Sequence, residues 1–183
     1  MGKPKAFDKL KLFIGILVNE KFVDPYGPVA LLLQILEQKF GKIDYKSAIM
    51  PFMNSDYYFA EMGQPLYKFF VSFKSLIDVQ DFAAIKLFTN DIEDQFAEIN
   101  SENQEIARQV NLDPGVMSLH NVMLLTTKNF AHRIPLKDGV YIEVTLIWKN
   151  KGYQDCSWTY PDFKTVEYKE ILKNIRSLYN SNI

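Results

Sequence analysis

The segment Lys11 to Val18, KLFIGILV, is apolar almost throughout. A strand with one face in water alternates polar and apolar residues, whereas a strand covered on both faces loses that alternation. The run is also far shorter than the ~18 apolar residues of a membrane span. It is therefore read as the first strand, central in its sheet, and the remaining elements have to be arranged around it.

The stretch "DPYGP" breaks the chain after this strand. Val29 to Phe40 is predicted as a helix with Ala30, Leu33, Ile35, Leu36 and Phe40 on its apolar face and Gly41 as its stop. Tyr45 to Met53 is predicted as a second strand. After the polar-aromatic loop "NSDYYFAEMGQP" comes a third strand, Leu66 to Phe73, with Tyr67, Phe69, Val71 and Phe73 on one face. A second helix spans about Val79 to Glu98, with Asp78 at its N-cap. Its buried stripe is Phe82, Ile85, Phe88 or Thr89, Ile92 and Phe96. The solvated loop "NSENQE" leads to a fourth strand, Ile106 to Leu112. The order β-α-β-β-α-β is the signature of an α+β, ferredoxin-like split βαβ sheet.

Asp113-Pro114-Gly115 then reads as a turn, followed by a third helix from Leu119 to Lys128 with Ser118 as its N-cap. A hairpin comes next, and its register follows from its apolar pattern. A three-residue loop, Lys137-Asp138-Gly139 with Gly139 left-handed, pairs Leu136 with Val140 and Ile134 with Ile142. It places Arg133 opposite Glu143 and His132 opposite Val144, on the hairpin's apolar face. A two-residue loop would mix the faces, so the three-residue loop is expected. "SWTYPDF" is irregular, and Val166 to Tyr179 is a closing helix. The predicted fold is thus the ferredoxin-like core extended by a helix, an antiparallel hairpin and a C-terminal helix. No repeat or linker divides the 183 residues, which are expected to form a single domain.

Composition removes several functional classes. Twenty-one basic residues face 22 acidic ones, for a net charge of -1, and this lacks the basic excess by which duplex-binding proteins neutralise phosphates. The single cysteine, Cys156, rules out an internal disulfide and suits a reducing cytoplasm, where the chain is expected to reside. The opening segment has a basic lead but no small-residue cleavage site, so it is not read as a signal peptide. Ala6 breaks the myristoylation pattern. No membrane partner is expected, and neither a cofactor nor an oligomeric state is assigned.

Phosphate-loop, dinucleotide, H-E-x-x-H and C-x-x-C motifs are absent, and with His120, His132 and one cysteine no metal site is assigned. The chemical signals are subtler. Gln109, Asn111 and Asp113 alternate on one strand face, which makes Asp113 either a turn former or the end of a polar row at a sheet edge. "TTKNFAHRI" gathers Lys128, His132 and Arg133. Lys128 suits a helix C-terminus, His132 reads first as a hydrogen-bonded structural histidine, and Arg133 with Glu143 reads as a cross-strand ion pair. The sharper alternative is a guanidinium held for a carboxylate or phosphate. Lys86, Asn90 and Glu93 share a helix face that would ordinarily be solvated. Loops carrying Tyr57, Tyr58, Glu61, Trp158, Tyr160 and Asp162 either cover a core or line a pocket for a planar ligand.

The stretches "LFIGIL", "DYYFAEMG", "IKLFTN", "VNLDPG", "TTKNFAHRI", "GVYIEVTL" and "WTYPDF" together resemble a prokaryotic family, the domain of unknown function 4416, from about Leu12 to Tyr179. The resemblance implies no established activity. It marks Asp56, Tyr57, Tyr58, Glu61, Gly63, Lys86, Thr89, Asn90, Asn111, Asp113, Gly115, Lys128, His132, Arg133, Glu143, Thr145, Trp158, Tyr160, Pro161 and Asp162 as motif positions. Ser55 stands where the family pattern has Thr. Motifs built from charged and hydroxyl residues look more like a site than a shared core.

The favoured expectation is a binding protein or enzyme for a small anionic metabolite. His132, Asp113, Glu143, Asp56 and Glu61 would supply acid-base groups, with histidine as the proton shuttle. Lys86, Asn90, Asn111, Lys128, Arg133, Thr145, Tyr57, Trp158 and Tyr160 would hold the ligand. The alternatives are an RRM-like module for single-stranded RNA, with "LFIGIL" and "FVSF" as approximate signatures, and a non-catalytic oligomerising scaffold. The scaffold predicts an apolar patch without a polar cleft.

Overall fold

A computed structural model describes residues 2–3, 5–23, 27–53, 58–99 and 106–183. In chain order the elements are β1 (Leu10–Asn19), α1 (Pro28–Phe40), β2 (Ile43–Lys46), β3 (Met50–Pro51), the single-turn α2 (Phe59–Met62), β4 (Leu66–Ile77) and α3 (Phe82–Gln95). They continue with β5 (Glu98–Ile99), β6 (Ile106–Ala107), β7 (Val110–Met117), β8 (Asn121–Thr126), β9 (Ile134–Pro135), β10 (Tyr141–Lys149), β11 (Gly152–Asp155) and α4 (Val166–Asn180). Nine of these strands form one open antiparallel sheet in the order β11-β10-β8-β7-β1-β4-β2, with β3 on β4 and β9 on β10. The protein is α+β.

The apolar run does lie centrally: β1 is flanked by β4 and β7, and all ten of its residues are buried. Its even positions, Leu12, Ile14, Ile16 and Val18, join Phe69, Val71, Phe73, Val110, Leu112 and Val116 beneath α1 and α3. Phe13 on the other face joins Phe70, Val122, Leu146 and the α4 residues Tyr168, Leu172 and Ile175. Three layers result, with helices on both faces of the sheet. In α1 the buried stripe is Val29, Leu32, Leu36 and Phe40, with Leu33 and Ile35 half-buried against the same core, and Gly41 ends the helix at φ 89°. In α3 Thr89 is fully buried, and the half-buried Phe88 packs against the same core, edge-on to Phe40.

Two sequence expectations fail at one place. Asp113-Pro114-Gly115 is not a turn: it is the middle of β7, paired with Gly15, Ile14 and Phe13. Leu119 to Lys128 is not a helix, because it contains β8. Ser118 caps no helix; its Oγ accepts the N–H groups of His120 and Asn121 in the tight turn joining β7 to β8. Val122 and Leu124 of β8 enter one core while Leu125 and Met123 enter the other. A strand buried on both faces shows a continuous apolar run that cannot be told from a helical segment by periodicity.

Packing explains the glycine. A Cβ on Gly115 would lie 2.2 Å from Cζ of the fully buried Phe13, so only glycine lets that ring cross β7. The proline has a different reason. Leu112 donates its N–H to Glu93 and its carbonyl accepts from Lys86, both on α3, so the hydrogen-bonding side of Leu112 faces away from β1. By strand alternation Pro114 faces the same way, towards β8, and has no N–H to offer there. The β7–β8 ladder accordingly covers only Gly115 to Met117. Before Pro114 the two strands part.

Candidate functional site

Where β7 and β8 diverge, a cleft of about 580 Å³ opens, walled by both strands, α3, β10 and residues 160–163. An unpaired strand edge leaves backbone polar groups without partners. Lys86 and Glu93 supply them for Leu112 at 3.0 and 2.6 Å. This is why a helix face expected to be solvated is instead buried and charged.

The polar row on β7 is present as its strand phase predicts. Asn111 Nδ2 donates to Asp113 Oδ1 at 3.0 Å, and Arg108 donates to Asn111 at 2.9 Å. The main partner of Asp113 is a residue that sequence reasoning missed. Lys68 of β4, 3% exposed, lies 2.7 Å from Asp113 Oδ2 and 3.8 Å from Asp162 Oδ2. Its stem crosses Gly15, where a Cβ would come 3.2 Å from Lys68 Cε. The available signal was a lone lysine inside the apolar strand LYKFFVSF.

These contacts separate the carboxylates. Burial alone would raise Asp113, but the charges of Lys68 and Lys86 and hydrogen bonds from Lys68 and Asn111 hold it below its ordinary range. Burial pushes Asp162 up, and Lys68 offsets only part of that. Glu93 is also raised by burial, against the opposing effects of Lys86, the Leu112 N–H and Arg108. For Lys68 burial acts downward, and the neighbouring Asp113 and Asp162 charges reverse it.

The opposite wall comes from the hairpin, whose register is the expected one. Leu136 N–H donates to the Val140 carbonyl at 2.8 Å, Ile134 pairs with Ile142, and Gly139 has φ 77°. Arg133 does meet Glu143, with Nε 2.7 Å from Oε2. Its other nitrogens donate to the Lys128 carbonyl at 2.8 Å and to the Tyr160 hydroxyl. Burial would lower the guanidinium, but the Glu143 hydrogen bond and the neighbouring Tyr160 and Glu143 raise it further. His132 is not opposite Val144. It precedes β9, bonds Glu143 Oε2 at 2.7 Å through Nε2, and stacks on Trp158 with ring centroids 5.1 Å apart. Glu143 Oε1 is buried and has no hydrogen-bond partner among the described residues.

Irregular segment 156–160 is stitched to β10 beside a bulge between Val144 and Leu146. Trp158 Nε1 donates to the Val144 carbonyl at 2.8 Å, and the Thr159 hydroxyl donates to that of Thr145. A bulge frees ladder groups for such bonds, and here they fix Tyr160 against Arg133.

The cleft thus brings together Asp113, Glu143, Lys86, Asn90, Asn111, Lys128, Arg133 and Tyr160. His132 stands behind Glu143. Glu61, 44% exposed in its side chain, pairs with Arg108 of the wall at 3.4 Å and does not itself line the cleft. Thr145 is buried in β10, and Trp158, 42% exposed, stacks on His132 and does not line the cleft. Asp56 and Tyr57 lie outside the described residues. Lys68, Glu93, Arg108 and Asp162 complete the charged wall. Among the described residues no group of three or more His, Cys, Asp or Glu side chains is placed to hold a metal ion, and no helix is long and apolar enough to cross a membrane.

Fold and site together define an α+β protein with a charged, partly aromatic cleft in a divided sheet. Residues 8–179 match a family described as Domain of unknown function (DUF4416), and the chain belongs to that family. No curated protein and no solved structure matches it.

Proposed function

We propose that the cleft binds a small metabolite bearing a phosphate or carboxylate. The observation that supports this most is the Arg133 guanidinium. Three partners, Glu143, the Lys128 carbonyl and Tyr160, fix its plane at the cleft wall, and a guanidinium carries five N–H donors in all. A fork held in one orientation loses little freedom on gripping an anion. Glu143 is held on one oxygen, Oε2, by both Arg133 and His132. His132, bonded to that oxygen, acts on Glu143 and has no place in the cleft wall.

The strand order β7-β1-β4-β2, with α1 and α3 as the crossovers, supports reading the core as ferredoxin-like. The RNA-binding alternative loses support from packing. An RRM stacks bases on aromatic residues of its open sheet face, but here Phe13 and Phe70 are fully buried beside Tyr168 and Leu172 of α4. The scaffold alternative called for no polar cleft.

A thermal-shift screen of organic acids, sugar phosphates, nucleotides and divalent metals tests the proposal. Saturation at about 100 times Kd stabilises a protein by roughly 2.7 kcal/mol. At least one anionic compound should raise the melting temperature of the native chain and fail to raise that of Arg133→Met. If no anion discriminates between the two proteins, the proposal is wrong.

A further inference from the structure

In the same cleft Lys68 and Asp162 form a long ion pair. Lys68 Nζ is 3.8 Å from Asp162 Oδ2, too far for a hydrogen bond. An ammonium has three donors, and among the described residues the hydrogen bond made by Lys68 Nζ goes to Asp113. Asp162 accepts the Phe163 N–H on Oδ1 at 3.0 Å, leaving Oδ2 towards Lys68. Both side chains also make hydrogen bonds elsewhere. The Lys68 stem lies across Gly15, and the Asp162 carbonyl is tied to the Thr165 hydroxyl at 2.7 Å.

We infer that the flank of this pair is a hydroxyl seat: the ligand whose anion lies at Arg133 carries a hydroxyl that sits off the Nζ–Oδ2 line, accepts from Lys68 and donates to Asp162. The inference rests on the anion-binding reading and narrows its substrate class to hydroxy acids and sugar phosphates. Other groups fit worse. A second carboxylate would meet the negative charges of Asp113 and Asp162, and an ammonium would meet Lys68. A neutral group that both accepts and donates satisfies the two sides at once. Water does so too, so the ligand gains by tethering its hydroxyl to a group already anchored elsewhere.

Titration calorimetry with matched phosphates separates the possibilities. Glycerol 3-phosphate is compared with propyl phosphate, and ribitol 5-phosphate with pentyl phosphate. In at least one pair the hydroxylated member should bind about tenfold or more tightly, the scale of a hydrogen bond to a charged group. Asp162→Ala should erase that difference. If the alkyl phosphates bind through Arg133 and the hydroxyls add nothing in either pair, the seat is refuted while the anion reading stands. A difference that survives in Asp162→Ala also refutes the seat. If none of the four binds, the seat is refuted, and the anion reading stands or falls on the thermal-shift screen. The comparison within the native protein needs no variant to fold.

Discussion

Lys68 on β4 reaches Asp113 on β7 at 2.7 Å by passing over Gly15 on the strand between them. An ion pair that spans three strands needs a missing side chain in the middle, and Gly15 provides it. The cleft therefore depends on a residue that does not line it. Sequence features that look like local backbone signals, a glycine in a strand or a proline after an aspartate, here serve contacts between strands.

Gly115→Ala should destabilise the fold by about 1–3 kcal/mol, the usual cost of overpacking a filled core. The new Cβ would meet the ring of Phe13, which has no exposed surface. Gly15→Ala should cost less, since its nearest contacts are 3.1 and 3.2 Å. Urea denaturation midpoints of the two variants check the order, and equal costs would contradict it.

Lys68→Met should cost on the order of 3 kcal/mol, because it strands a carboxylate that its partner had compensated. The double variant with Asp113→Leu should cost clearly less than the two single costs added together. The pH dependence has a definite sign. Asp113 is held below its ordinary range, so its contribution is present above the unfolded value of about 3.9 and is lost as pH falls through the lower folded pKa. Asp113→Asn should therefore remove part of the acid-limb loss seen in chemical denaturation.

Glu93 should behave in the opposite sense. Its folded carboxyl is raised by burial, so keeping it ionised opposes folding above that raised value. Stability is gained as pH falls from there to the unfolded value of about 4.3. Glu93→Gln keeps an acceptor for the Leu112 N–H, should be more stable than the native chain near neutral pH, and should lose that advantage on acidification. An advantage that grows on acidification would show that Lys86 and Arg108 outweigh desolvation at this site.

Arg133→Lys should weaken anion binding roughly tenfold or more despite keeping the charge, because an ammonium cannot reproduce the fork. Its melting temperature in the absence of ligand should fall as well, since Glu143 loses the Nε contact of 2.7 Å. Binding by calorimetry and melting by circular dichroism report the two effects separately.

Much of the scaffold can be read from the chain alone. The apolar run gives β1 its central position, helical spacing gives α1 and α3, and the apolar phase of the hairpin gives its register and brings Arg133 to Glu143. What fails has a common cause. β8 is covered on both faces, so its pattern resembles a helix. Pro114 and Gly115 imitate a turn because ladder termination and close ring packing require the same residue types that turns do. Asp113 and Asn111 are legible as a polar row, but Lys68 is not, since its role depends on the strand order across the sheet.

The parting of β7 and β8 has one more consequence. The ladder ends beside a backbone nitrogen that carries no hydrogen, while most of the cleft's charged groups come from side chains on other elements. Aperture and contents can thus vary independently among relatives. Substituting the wall could change ligand preference without closing the opening, and replacing Pro114 could narrow the entrance with every charged group still in place.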